Sequence, residues 1–273
     1  MYALRIAALL LGTLSLGVLV SIPMSSPAKA PALEKPGLTG KVTLDGDRPD
    51  ETKLNEAIRD AMRAKDERCL AKDAGEDETI QQVWRIDDKG GVANVFVWIV
   101  PAKGKFFKVD MDKKTWADEV KLEQPHCAFI PHCMVLFPYY LDENGKRRST
   151  GQKFVVTNTS AMNHNTKIEG GFNEILPAGK DLTVEDLQTH AMPMAIGCNI
   201  HTWMSAYLLA LDHPYAAITG KDGTYKIENV PVGEEVRILA WHEKAGFLNE
   251  NRGAGEPIKL ETSTVKNFKC KAK

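Results

Sequence analysis

No cysteine precedes Cys69 in this 273-residue chain, and the chain has only five. That density excludes a small domain stapled by many disulfides, and the absence excludes a lipid-modified cysteine near the N-terminus. Charge of one sign is missing as well. Lys and Arg total 35 against 36 Asp and Glu, a net charge of -1, which leaves no strong basic field for a nucleic-acid partner. No twin arginine marks the start. After residue 66 no long helical pattern recurs; only "VEDLQ" (184–188) reads as a turn of helix. No nucleophile–base arrangement stands out, so the chain is not expected to be an enzyme.

What is present begins with a leader. Arg5 supplies a positive start, Ile6 to Met24 is apolar except for small residues, and Ser25-Ser26-Pro27-Ala28-Lys29-Ala30 places small residues at cleavage-type positions. Residues 1–30 therefore read as an export signal. The apolar run approaches the length of a spanning helix, so a retained anchor is the alternative and the sole expected membrane span. Without these residues 33 basic side chains face 36 acidic ones, a net charge of -3. A bacterial-type signal predicts the periplasm or cell exterior, an oxidising compartment where spare cysteines pair.

Hydrophobic residues make up 43% of the chain, enough for one large or two small domains. Residues 31–38 look like a short tether. "GKVTLDG" (40–46) alternates and ends at Asp-Gly, predicting an edge-type strand and turn. Leu54, Ala57, Ile58, Ala61 and Met62 fall at helical spacing, predicting one helix near residues 51–65 packed outside a sheet. Val92 to Val100 is continuously apolar and reads as a strand buried on both faces. Strand-like stretches follow at 118–136, 151–160, 192–198 and 206–212. "AAITGKDGTYKI" (216–227) carries a hairpin signal at Lys221-Asp222-Gly223. The predicted class is mainly β, with sandwich architecture. Expected segments are 31–117 (strands plus helix, partly belonging to a second sandwich), 118–211 and 212–273.

"CNIHTWM" (198–204) holds a thiolate, an imidazole and a thioether as Cys198-x2-His201-x2-Met204. A blue-copper site requires two imidazoles and a thiolate in a plane, a weak thioether on its axis, and a rigid mount. The second imidazole should lie on an inter-strand loop upstream, and His164 after the 153–158 strand fits. Asn165 next to it can tie the two loops together. Cys198, His201, Met204 and His164 are the predicted ligands of one copper ion. "FIP" (129–131), Gly151-x2-Phe154-Val155-x2-Asn158, His164-Asn165 and Cys198-x2-His201-x2-Met204 occur in the running order of the plastocyanin-like cupredoxins. The region 118–211 resembles that family, and its short ligand loop most resembles amicyanin's. The resemblance implies a Greek-key β-sandwich, a type 1 copper, electron transfer with a redox partner protein, and His201 as the exposed edge through which electrons leave.

The departures are informative. Ile200 and Thr202 flank His201 where proline is usual, and "YYLDENGKRRS" (139–149) looks like an insertion. Dinuclear sites need a cysteine at 194, where this chain has Met194, so one copper is expected. Met192 and Met194 share strand parity with Cys198 and are predicted to face inward; with Met162 they are predicted core residues more than ligands. His190 is a weaker metal candidate. His126 and His132 read as surface or hydrogen-bonded, and the histidines of "DHPY" (212–215) and "AWHE" (240–243) as packing groups. A copper thiolate stays unpaired, so Cys69, Cys127, Cys133 and Cys270 remain to pair in one of three ways; Cys69–Cys127 with Cys133–Cys270 is favoured.

Asp222-Gly223-x-Tyr225-x-Ile227 and Val230-Pro231-x-Gly233 resemble the carboxypeptidase regulatory-like, or carbohydrate-binding-like, β-sandwich modules, and "GKVTLDGDRP" (40–49) resembles their opening strand. The copper domain would then be inserted within, or packed beside, such a module. The whole chain resembles exported planctomycete-type proteins that join these parts. The expected function is an exported mononuclear copper electron carrier. The alternatives are a carbohydrate- or surface-binding module with structural or no copper, and periplasmic copper storage or delivery.

Overall fold

The computed structural model describes residues 36–272; the predicted export signal lies outside them. The described chain is mainly β: 19 short strands, one α-helix and a few 3-10 turns. It forms two β-sandwiches that meet along a shared apolar seam.

The chain opens with β1 (Gly37–Asp45), α1 (Glu51–Lys65) and β2 (Phe96–Pro101). Ten strands follow: β3 (Glu119–Glu123), β4 (Cys133–Leu136), β5 (Tyr139–Leu141), β6 (Arg147–Ser149), β7 (Lys153–Thr157), β8 (His164–Ile168), β9 (Asn173–Leu176), β10 (Asp181–Val184), β11 (Met194–Gly197) and β12 (Ser205–Ala210). The remainder holds β13 (Ala216–Ile218), β14 (Thr224–Glu228), β15 (Glu235–His242), β16 (Gly246–Phe247), β17 (Glu256–Lys259), β18 (Ser263–Val265) and β19 (Phe268–Lys271).

The first sandwich pairs β10-β7-β3 in one sheet and β4-β12-β11-β8-β9 in the other. Its core lies between them: Leu122, Phe154 and Val156 from one side meet Met134, Ile168, Ile196 and Leu208 from the other. The segment 139–149 is a hairpin, β5 on β6, set apart from both sheets.

Both flanks of the chain build the second sandwich. One sheet runs β14-β1-β18 with β19 also on β1; the other runs β13-β2-β15-β16 with β17 also on β15. Here β2 explains the continuous apolar run. Val95, Val97 and Ile99 enter the second core, while Phe96 and Trp98 point the other way. They join Leu239 and Trp241 of β15 and meet Cys133 and Leu209 of the first sandwich, as a strand buried on both faces must.

Several expectations change. Strand β1 is central, with β14 antiparallel on one side and β18 and β19 parallel on the other, because its partners come from the far end of the sequence. The turn at 220–223 forms, but β13 and β14 do not pair with each other; β13 joins β2 and β14 joins β1. Gly223 (φ +78°) sits so close to Gly91 and Val42 that a Cβ there would lie 2.4 Å from the Val42 carbonyl oxygen. That close approach seats the turn between the sheets. No helical turn forms at 184–188, where Asp186 takes a left-handed φ of 55°.

Helix α1 starts at Asp50, whose carboxylate accepts the Lys53 N–H at 3.0 Å. Arg63 and Lys65 lie in its last turn, where they complement the helix dipole. Only its C-terminal half is covered: Met62 enters the first core with Ile58 packed against it, while Leu54 stays exposed. The helix then passes through the 3-10 turn Glu67–Leu70 to Cys69.

Candidate metal centre

The seven-residue loop 198–204 is framed by a hairpin. Strands β11 and β12 pair antiparallel up to Gly197 opposite Ser205, so Cys198 and Met204 leave the two strands at adjacent points. Within the loop the Met204 N–H donates to the His201 carbonyl at 2.9 Å. Sheet pairing and this turn supply a rigid mount without proline beside His201.

His164 opens β8, and a polar knot fixes the loop before it. The buried Asn158 side chain donates to the Met162 carbonyl (2.7 Å) and the Leu176 carbonyl (2.9 Å), and accepts the Ser160 hydroxyl at 2.7 Å. Buried amides satisfied this fully rigidify their surroundings. His164 is thereby presented to the 198–204 loop from the neighbouring strand.

One ligand atom each from His164, Cys198 and His201 lies within 4.8 Å of the others. The two imidazoles face each other, Nδ1 to Nδ1, at 3.1 Å. Backbone N–H groups of Asn165 and His201 both donate to the Cys198 sulfur at 3.4 Å, which fixes its position between the two ligand loops. Met204 is buried in the same core cluster as Cys198. Asn165 ties the two ligand loops: its Oδ1 accepts the Asn199 N–H (3.1 Å), and its Nδ2 donates to Asn173 Oδ1 (2.8 Å) and the Glu174 carbonyl (3.0 Å).

Burial pushes His164 down to about 4, and nearby His201 pushes the same way. The His126 backbone carbonyl opposes the shift, but by distance and angle it makes no hydrogen bond, since His164 Nε2 is buried without a partner. His201 is also lowered, by burial first and then by Lys65. Both rings are therefore neutral at pH 7, with lone pairs available to a cation. Two neutral imidazoles and a thiol supplied with N–H donors, all out of water, form a donor set that suits a soft or borderline metal such as copper.

His201 is not an exposed edge. It is only 4% accessible, because α1 and the turn after it lie over this end of the sandwich. Cys69 forms a disulfide with Cys127, and both sulfurs lie within 4.8 Å of a His201 ring nitrogen. Trp203 packs on His201 with ring centres 5.3 Å apart, and its indole N–H donates to the Cys127 carbonyl at 3.0 Å. Trp203 itself is only partly buried. Sequence reading favoured the Cys69–Cys127 pair without placing it at the site. The nearness of Trp203 to His201 in the loop was the one signal for its role.

The Cys133–Cys270 pair does not form. Cys133 faces the seam between the sandwiches and Cys270 the second core, so the two belong to different apolar clusters, both as free thiols. Burial and the Glu243 charge raise the Cys133 thiol well above its ordinary value, and burial lifts Cys270 to about 12.

Met194 and Met162 are buried in the first core, but Met192 is 44% accessible. It precedes β11, so the strand's alternation does not reach it. Exposed His190 bonds through its N–H to the Ala210 carbonyl, at the end of β12 opposite the ligand loop. His126 pairs with Glu78 at 2.6 Å. His132 is buried between the Ser205 carbonyl (3.0 Å) and Glu243. His213 stacks on Tyr215, and His242 Nε2–H donates to the Val83 carbonyl at 2.8 Å beside Trp84, both as packing groups.

No protein-family model matches the chain, and no curated protein matches it. Among solved structures, the reduced state of an amicyanin mutant matches 42% of this chain and 99% of its own, at 11% identity and a TM-score of 0.26. A copper-containing nitrite reductase from Thermus scotoductus matches the same share of this chain and 27% of its own, at 12% identity and a TM-score of 0.26.

Proposed function

We propose that the chain is an exported single-electron carrier built around one type 1 copper. The observation that carries this reading is the convergence of one ring nitrogen each of His164 and His201 with the Cys198 sulfur, with two backbone N–H groups on that sulfur. His164, Cys198 and His201 would hold the metal, with Met204 as a weaker fourth ligand. A bound copper would supply a reversible one-electron couple.

The protein residues do the rest. The β11–β12 hairpin and the Asn165 amide hold the ligands still in both oxidation states, which keeps reorganisation small. Burial keeps water and competing ligands away, and the N–H groups on sulfur tune the potential. With His201 enclosed, partly exposed Trp203 is the ring that links it to the surface, so a redox partner protein would dock there. Four protein ligands leave no open position for a substrate, which supports a carrier over an enzyme. In this reading residues 1–30 export the chain to the periplasm or cell exterior. The second sandwich serves as the carboxypeptidase regulatory-like module carrying the copper domain between β2 and β13.

Copper-loaded, oxidised protein should show one copper per chain and an intense visible thiolate band, and Cys198→Ser should abolish that band. A colourless one-copper complex, or a band that survives Cys198→Ser, overturns the reading.

A further inference from the structure

The same copper reading leaves a problem that the fold itself addresses. The four ligand residues are at most 5% accessible, so the site is closed to an arriving ion. Its wall over His201 is the Cys69–Cys127 disulfide, whose sulfurs lie within 4.8 Å of a His201 ring nitrogen. The two half-cystines are themselves buried, but Glu67 and Arg68, immediately before Cys69, are exposed. Residues 67–70 form a single 3-10 turn, capped by the Asp66 carboxylate, with no sheet partner.

We propose that, once this disulfide is reduced, Cys69, Cys127 and His201 form a second, outer Cu(I) site through which copper is admitted to the buried one. The role as an admission route rests on the copper reading above; the site itself does not. A dithiol reductant would break the Cys69–Cys127 bond, forming its own disulfide and delivering two electrons and two protons to the two sulfurs. Cu(I) then replaces the thiol protons, which leave to solvent. Two thiolates and one imidazole suit Cu(I), which accepts three-coordinate soft donor sets. His201 belongs to both ligand groups, so an ion on the outer set passes inward by exchanging two thiolates for Cys198 and His164 while His201 stays bound. Exchange with a disulfide-bearing oxidant, which takes up the two electrons and two protons and becomes a dithiol, re-forms Cys69–Cys127 behind it.

The test removes the inner site and leaves the outer one. In the double variant His164→Ala with Cys198→Ser, dithiol-reduced protein should take one Cu(I) per chain from a bicinchoninate complex. An ultraviolet thiolate–Cu(I) band should accompany the uptake. The oxidised variant should take none with that band, and adding Cys69→Ser should abolish it; Cys133 and Cys270, still present, serve as the internal control. Wild-type apoprotein supplies a measurement free of folding effects: it should acquire copper much faster when Cys69–Cys127 is reduced. Equal binding by reduced and oxidised variant, survival of the band after Cys69→Ser, or equal wild-type loading rates each overturn the proposal. A blue wild type with no thiolate band in the reduced variant leaves the electron-carrier reading standing. A wild type that never turns blue removes that reading while the variant still decides the outer site.

Discussion

Asn165 shows how much one buried amide carries. It uses both ends of its side chain to join the strand bearing His164 to the loop bearing Cys198. Asn165→Ala would strand the Asn199 N–H and two acceptors, at a cost of about 1–3 kcal/mol in denaturant unfolding. It should also shift the visible band of the copper form, because the thiolate and imidazole lose their common anchor. A second residue sets the acid response. Burial holds His213 down to about 3, so its ring is neutral in the folded state across a range where the unfolded chain is protonated. The unfolded state then binds the extra proton, and stability falls as pH drops from the usual 6.5 toward 3. Thermal unfolding followed over that range should show the loss, and His213→Gln should lessen it, with His164, His201 and His242, also held low by burial, carrying the remainder.

At the scale of the element, the ligand hairpin and the helix work against each other's exposure. Residues 194–210 are legible from sequence because alternation and ligand spacing are local: Met194 and Ile196 bury on the strand's inner face, and Cys198 follows in register. The covering of His201 is not legible, because α1 and Cys69 come from more than 130 residues earlier. Nothing in the 198–204 loop reports what lies over it. The same holds for the 216–227 segment, whose local signal fixes the turn while β1 and β2 choose the strands' partners. Under the electron-carrier proposal, Trp203 is the residue that tests the path to the surface. Trp203→Leu should slow reduction and oxidation by soluble one-electron reagents severalfold while the visible band stays in place; stopped-flow rates beside absorption spectra check this. At the start of α1, Asp50→Ala should cost about 1 kcal/mol, since the Lys53 N–H loses its cap.

Across the molecule, an apolar cluster fills the seam between the sandwiches, with the buried His132–Glu243 pair bridging them beside it. Trp98 is fully buried there and Phe96 and Leu209 share the cluster, so Trp98→Ala should cost about 3–5 kcal/mol. If the seam couples the sandwiches, wild-type chemical unfolding followed by fluorescence and by far-ultraviolet dichroism gives coincident transitions. Cysteine chemistry reports on the same packing. Native apoprotein should leave Cys133, Cys198 and Cys270 unreactive to a thiol reagent, whereas the denatured, unreduced chain should titrate three thiols.

Strand β1 has a consequence in time. It is among the first described segments to leave the ribosome, yet its parallel neighbours are residues 263–271, and Asn267 bonds to Lys41 across 226 positions. Such long-range closure is slow, and here synthesis delays it further. The first sandwich, drawn from residues 119–210, can assemble while β1 still waits for its partners. Until residues 263–271 arrive, the chain carries a finished candidate metal site beside an open sheet edge, and that interval is when it is most exposed to pairing with a neighbour.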